Sequence, residues 1–162
     1  MIYRIQSLLL LGVAICMLLL LVLPIWQETN PENTEIAKLN AFGLVHQQIG
    51  AEETPPITEN KVPLLIALMA VLAAAIAIVE IFKYKNRLTQ IKLGALNALV
   101  MAITLGVAWY FSYQAETWVA PETQGEYEAG FFVLPIALLL NILANRFIRR
   151  DDKLVRSVDR LR

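Results

Sequence analysis

The chain has 162 residues, 57% of them apolar, and a mean hydropathy of +0.56. That length allows one domain at most, over residues 1–162, and the composition is more apolar than a usual soluble domain. Its 14 bases and 14 acids cancel, so bulk charge offers no basis for a nucleic-acid partner, and the lone Cys16 excludes an internal disulfide.

Residues 8–26 form the first apolar stretch. No small-x-small pattern precedes Pro24-Ile25-Trp26, and the bulky Ile15 before Cys16 does not suit a lipoprotein site. A retained helix is therefore expected rather than a cleaved leader, with Cys16 packed as a small apolar side chain. Residues 27–61 follow as a long outer connection. It opens on Glu28-Thr29-Asn30-Pro31-Glu32-Asn33 and closes on Thr54-Pro55-Pro56-Ile57-Thr58, both turn-rich. Between them, residues 39–49 are more apolar and predict a short strand or hairpin on the outer end of the helices, since so long a loop without structure would be unusual. His46 lies here with no Cys or second His near it, which suits loop packing better than metal binding.

The second stretch, residues 62–82, carries Ala70, Ala73, Ala74 and Ala77 and ends near the acid Glu80. A basic turn, residues 83–92, contains Lys83, Lys85, Arg87 and Lys92. The third stretch, residues 93–113, places Gly94, Ala98, Ala102 and Gly106 at four-residue spacing, which predicts close helix packing against the alanines of the second. Residues 114–128 form a second outer loop. The fourth stretch, residues 129–147, contains Pro135, Asn141 and Asn145. In the tail, residues 148–162, Leu154, Val155, Val158 and Leu161 recur at helical spacing among charges, as in an amphipathic helix that continues the fourth stretch or lies on the inner leaflet.

Each stretch holds about 20 residues, enough to cross a hydrocarbon core of roughly 30 Å as a helix that satisfies its own backbone. Charge sorts around them by sign. Of the 14 bases, all but Lys38 and Lys61 fall before the first stretch, in the 83–92 turn or from Arg146 onward, while the two outer connections are rich in glutamate. The positive-inside pattern predicts both termini in the cytoplasm. Trp26, Trp109, Tyr110, Tyr113, Trp118, Phe131 and Phe132 would mark the outer interface, with Tyr3 and Tyr84 at the inner one.

Polar residues inside the stretches gather at one depth. Glu80, Asn97, Asn141 and Asn145 all fall in the cytoplasmic third and are expected to face the interior. The plainer reading of Glu80 is an interfacial carboxylate paired with Lys83 or another base; the other is a proton or cation relay. For the asparagines, interhelical hydrogen bonding competes with a ligand site. Lys85, Arg87, Arg146, Arg149, Arg150, Arg156 and Arg160 make a basic face that could dock a protein or bind lipid headgroups. One loop histidine cannot supply the paired ligands of a haem bundle, and a single cysteine cannot supply a thiol pair. No zinc, phosphate-loop or nucleophile motif appears, so neither a cofactor nor a metal is expected.

Several segments carry a family resemblance: Met1-Ile2-Tyr3-Arg4-Ile5-Gln6 at the start, and Lys85-Asn86-Arg87-Leu88-Thr89-Gln90-Ile91-Lys92-Leu93 with Leu96-Asn97 in the turn. The end adds Leu140-Asn141-Ile142-Leu143-Ala144-Asn145-Arg146-Phe147-Ile148-Arg149-Arg150-Asp151 and residues 153–162. The chain resembles, over its full length, the small bacterial inner-membrane proteins classed as domain of unknown function 4293. That resemblance implies four transmembrane helices and transfers no catalytic residue.

The expected fold is an all-α membrane protein, a four-helix transmembrane bundle with both ends cytoplasmic, an outer hairpin and an amphipathic C-terminal helix. Three functions stay open. One is a non-enzymatic membrane subunit or scaffold that sits in the bilayer and docks a protein partner or a second copy. Another is a small transporter or ion pathway through Glu80 and the asparagines. The third is a lipid-modifying enzyme at the inner leaflet.

Overall fold

The computed structural model describes residues 2–29, 35–48, 57–59, 64–84, 86–119 and 125–159. Within them run four helices, α1 (Ile2–Leu19), α2 (Leu64–Phe82), α3 (Arg87–Val119) and α4 (Ala129–Asp159). Five short strands accompany them, β1 (Trp26–Thr29), β2 (Glu35–Leu39), β3 (Leu44–Gln48), β4 (Ile57–Glu59) and β5 (Glu126–Tyr127). Helix α1 packs against α2 and α4, and α3 packs against the same two.

Leu64–Phe82, Arg87–Glu116 and Ala129–Val155 are long and apolar enough to cross a membrane. The apolar part of α1, Ile5–Leu19, is shorter. Leu8, Leu68, Leu99 and Leu139, one from each helix, are more than half exposed. Such a girdle exceeds the apolar patches that soluble monomers show to water.

The first helix starts earlier and stops sooner than residues 8–26. Its last turn tightens, with Leu21 N–H donating to Leu18 O and Val22 N–H to Leu19 O. Pro24 then blocks continuation and biases Leu23 toward extended backbone. Trp26 accordingly begins β1 and is fully buried, so it is a core residue and not an interfacial marker.

The cap is larger than the expected outer hairpin. It is one antiparallel sheet in the order β4-β3-β2-β1-β5, joining the 27–61 and 114–128 connections through β1 and β5. A tight turn closes β2 onto β3, where Asn40 N–H donates to Gly43 O at 2.9 Å. Trp26, Glu28, Ala37 and Leu39 alternate inward along β1 and β2. The sheet rests on α3, whose 33 residues span about 50 Å, more than the roughly 30 Å of a hydrocarbon core. Trp26, Ala37 and Leu39 share one core cluster with Ala108 and Ala115, so cap and helices are continuous.

The cap also satisfies helix starts. Ala67 N–H, in the first turn of α2, donates to Ala41 O at 3.2 Å, and Gly130 N–H at the start of α4 donates to Pro24 O at 2.9 Å. A side chain on Gly130 would run into that same Pro24 carbonyl. At the other end Asn86 caps α3, its Oδ1 accepting from Thr89 N–H at 3.3 Å. Helix α4 passes unbroken through Pro135 and carries the tail on to Asp159.

Candidate functional site

Burial on α3 follows steps of three and four. Gln90, Gly94, Asn97 and Met101 are buried, and Thr104, Ala108, Ser112 and Ala115 continue the line. The small-residue stripe does not keep to this face. Gly94 sits against α4, Ala98 is half-buried, and Ala102 and Gly106 are exposed, with nothing within 4 Å of a Cβ built on Gly106. A strict four-residue step gains about 40° on each repeat, so the stripe turns away from the interface within three repeats. The alanines of α2 do face inward: Ala70, Ala73, Ala74 and Ala77 are all buried.

Gly94 marks a close approach. A Cβ there would overlap the amide of Asn145, and the Gly94 carbonyl accepts from Asn141 Nδ2 at 2.8 Å. The glycine therefore lets two asparagines one turn apart on α4 lie against the backbone of α3. Asn141 is fully buried and Asn145 partly so, and the Oδ1 of each is buried without a hydrogen-bond partner.

Glu80 is fully buried on the same face of α2 as Ala73 and Ala77. Neither of its carboxyl oxygens has a partner. The expected pairing with Lys83 does not occur: Lys83 lies past the helix end and is exposed, while Glu80 points inward. Glu80 instead meets α3 through its backbone, its carbonyl accepting from Gln90 Nε2 at 3.3 Å. Asn97, two turns farther along α3, is fully buried with both amide atoms unpartnered. Gln6 of α1 is also buried, with its Nε2 open. The ends of all four helices away from the sheet thus contribute buried polar groups with unfilled hydrogen-bonding capacity. Such a set can hold water or pass a proton.

Gln6 and Gln90 were not among the residues singled out from sequence. The signal for Gln90 was present in Asn86, a helix cap three residues before Thr89, which starts α3 at Arg87 rather than residue 93. Gln6 could have been found by extending α1 back to Ile2.

The basic residues divide into separate groups. Arg87 Nη1 lies 2.9 Å from Asp151 Oδ2, both side chains largely buried, so this base ties the start of α3 to α4. Arg146, Arg149 and Arg150 line a groove of about 790 Å³ between α3 and α4, together with Lys153. Ala95, Ala98 and Ile142 form its apolar wall, and Asn145 stands between the two regions. Lys85 and the side chains of Arg156, Arg160 and His46 lie outside the described residues. Among the described residues, no group of three or more His, Cys, Asp or Glu is placed to hold a metal ion.

At the opposite end, burial and then the nearby Glu116 carboxylate push the Tyr127 phenol above its ordinary range.

Residues 2–161 match the family described as Domain of unknown function (DUF4293). The chain belongs to that family. No curated protein matches it.

Proposed function

We propose that this DUF4293 protein is a non-enzymatic subunit or scaffold of the bacterial inner membrane, crossing it four times with both termini in the cytoplasm. Its basic cytoplasmic face docks a protein partner through the end of α4. The observation that carries this reading is the exposure of Leu154 and Val155 beyond the charged run Arg149-Arg150-Asp151-Asp152-Lys153. Two apolar side chains past such a girdle have left the hydrocarbon, and a partner surface is what would cover them. The Arg87–Asp151 pair braces this projecting end against α3. The sorting of bases and glutamates across the four stretches supports the orientation.

A photoreactive residue at Leu154 or Val155 should crosslink to a discrete protein in cells, and a chain lacking residues 152–162 should no longer co-purify with that protein while insertion persists through Arg146, Arg149 and Arg150. A truncated chain that keeps every co-purifying protein would end the docking reading. Orientation is tested with single cysteines in a Cys16-free background: an impermeant thiol reagent should label position 52 from outside and spare position 87.

The ion-pathway reading rests on the open polar atoms of Glu80, Asn97 and Asn141. It requires Glu80→Gln to abolish an ion or proton flux in reconstituted vesicles.

A further inference from the structure

The groove between α3 and α4 has two chemically distinct parts in one continuous space. Ala95, Ala98 and Ile142 present small apolar surface at one end. Arg146, Arg149, Arg150 and Lys153 ring the other. Among the described residues no acid lines it, and Asp151 is engaged by Arg87. Among the described residues none of the four groove bases has an ion-pair partner. Like charges so close together repel unless an anion lies between them.

The groove also sits at a defined depth. Ile142 and Asn145 belong to the apolar run of α4, whereas Arg149 and Arg150 begin its charged extension. An occupant must therefore be apolar toward the span and anionic at its end. Ala95 and Ala98 keep the α3 wall low, since an alanine side chain is a single methyl. Asn145 stands where the two parts meet.

We propose that this groove binds an anionic phospholipid, with the phosphate among Arg146, Arg149, Arg150 and Lys153 and an acyl chain along Ala95, Ala98 and Ile142. Arginine holds phosphate through paired N–H donors, and each base near an anionic lipid surface is worth about fivefold in affinity. The proposal rests on the membrane reading above but not on the protein partner. It gives the bases nearest the span a ligand of their own and leaves Leu154 and Val155 for docking.

The test uses the full chain in a neutral detergent, with binding read by native mass spectrometry and by the shift in melting temperature. Phosphatidylglycerol, phosphatidylcholine with the same acyl chains, and glycerol 3-phosphate are compared. Phosphatidylglycerol should bind at least about tenfold tighter than either of the others, because only it combines a net negative headgroup with acyl chains. Arg149→Gln combined with Arg150→Gln should weaken it about 30-fold and leave phosphatidylcholine unchanged. Equal binding of the two lipids overturns the proposal, as does a double variant that keeps the preference. Binding of glycerol 3-phosphate as tight as that of phosphatidylglycerol overturns it too, in favour of a soluble phosphate ligand. Should the double variant fail to fold, the comparison of three ligands on the unaltered chain decides alone. Alkaline carbonate extraction of native membranes separates the two levels: release of the chain defeats the membrane reading and the lipid site with it. Retention without a lipid preference defeats the lipid site only.

Discussion

Toward its C-terminal end, α3 buries Thr104 and Ser112, and each hydroxyl donates to the carbonyl four residues back in its own helix, at 2.8 and 2.9 Å. Toward its N-terminal end the same helix buries Gln90 and Asn97, and there the polar groups turn outward to other helices or find nothing. The difference follows from side-chain reach. A hydroxyl on Cβ folds back onto its own helix, where a carbonyl already serving the backbone can accept a second bond. An amide or a carboxyl has two polar ends and cannot close both on its own turn. Its remaining capacity must be met across the interface, by water or by a ligand. Along α3, one end is therefore locally complete, and the other depends on what its neighbours supply.

The largest effect should come from Gly94→Val. The added side chain would occupy the position of the Asn145 amide and displace Asn141 from the Gly94 carbonyl. Overpacking and a lost buried hydrogen bond together cost about 3 kcal/mol, measured as a fall in stability in detergent. Gly106→Val is the control: that position is open, and the change should stay within about 0.5 kcal/mol. Equal effects would place both glycines on one interface and remove the distinction between the ends.

Next in size is the brace at the polar end. Arg87→Ala should cost about 2 kcal/mol, because it strands a mostly buried Asp151. A double-mutant cycle with Asp151→Asn should return a coupling of about 1 kcal/mol or more. Additive single effects would mean that the pair is screened and that α4 projects without support.

Glu80→Leu should act in the opposite sense. The carboxyl is fully buried and unpartnered, so an apolar replacement removes a desolvation cost and should raise stability by about 1–2 kcal/mol. A fall would reveal a water or ion that holds the carboxyl. This outcome sharpens the comparison, because it would show that the polar end is completed from outside the chain.

How much of this arrangement the sequence revealed depended on the length of the pattern. Four runs of about 20 apolar residues each mark a helix, because a run that long admits few alternatives. Glu80, Asn97 and Asn141 were expected inward from their common depth and the cost of showing such groups to hydrocarbon, and all three are buried. The sheet was only partly legible. Strand β5 is two residues long and has no period, and β1 begins where an apolar run ends, which made Trp26 resemble an interfacial aromatic. The small-residue stripe failed on geometry, since spacing by fours alone ignores the drift of a helix with 3.6 residues per turn. Pairing Glu80 with Lys83 failed because adjacency along the chain was given more weight than the face shared with Ala73 and Ala77. The groove could not be seen at all, because it needs α3 and α4 side by side with Ala95 and Ala98 opposite Ile142.

The smallest effect belongs to the self-contained end, and it is the most direct test of the reach argument. Thr104→Val keeps the volume and the branching at Cβ and removes only the hydroxyl. The acceptor, Val100 O, still receives the Thr104 backbone N–H of the helix, so no buried group is left without a partner. The surroundings, including Val100, Met101 and Ala108, are apolar and accept the new methyl. A bond of this kind competes with the helix rather than adding to it. The change in stability should therefore be about 0.5 kcal/mol or less, in either direction, by denaturant titration in detergent. A loss near 2 kcal/mol would mean that the hydroxyl also bonds across the interface, and the two ends of α3 would then differ in degree and not in kind.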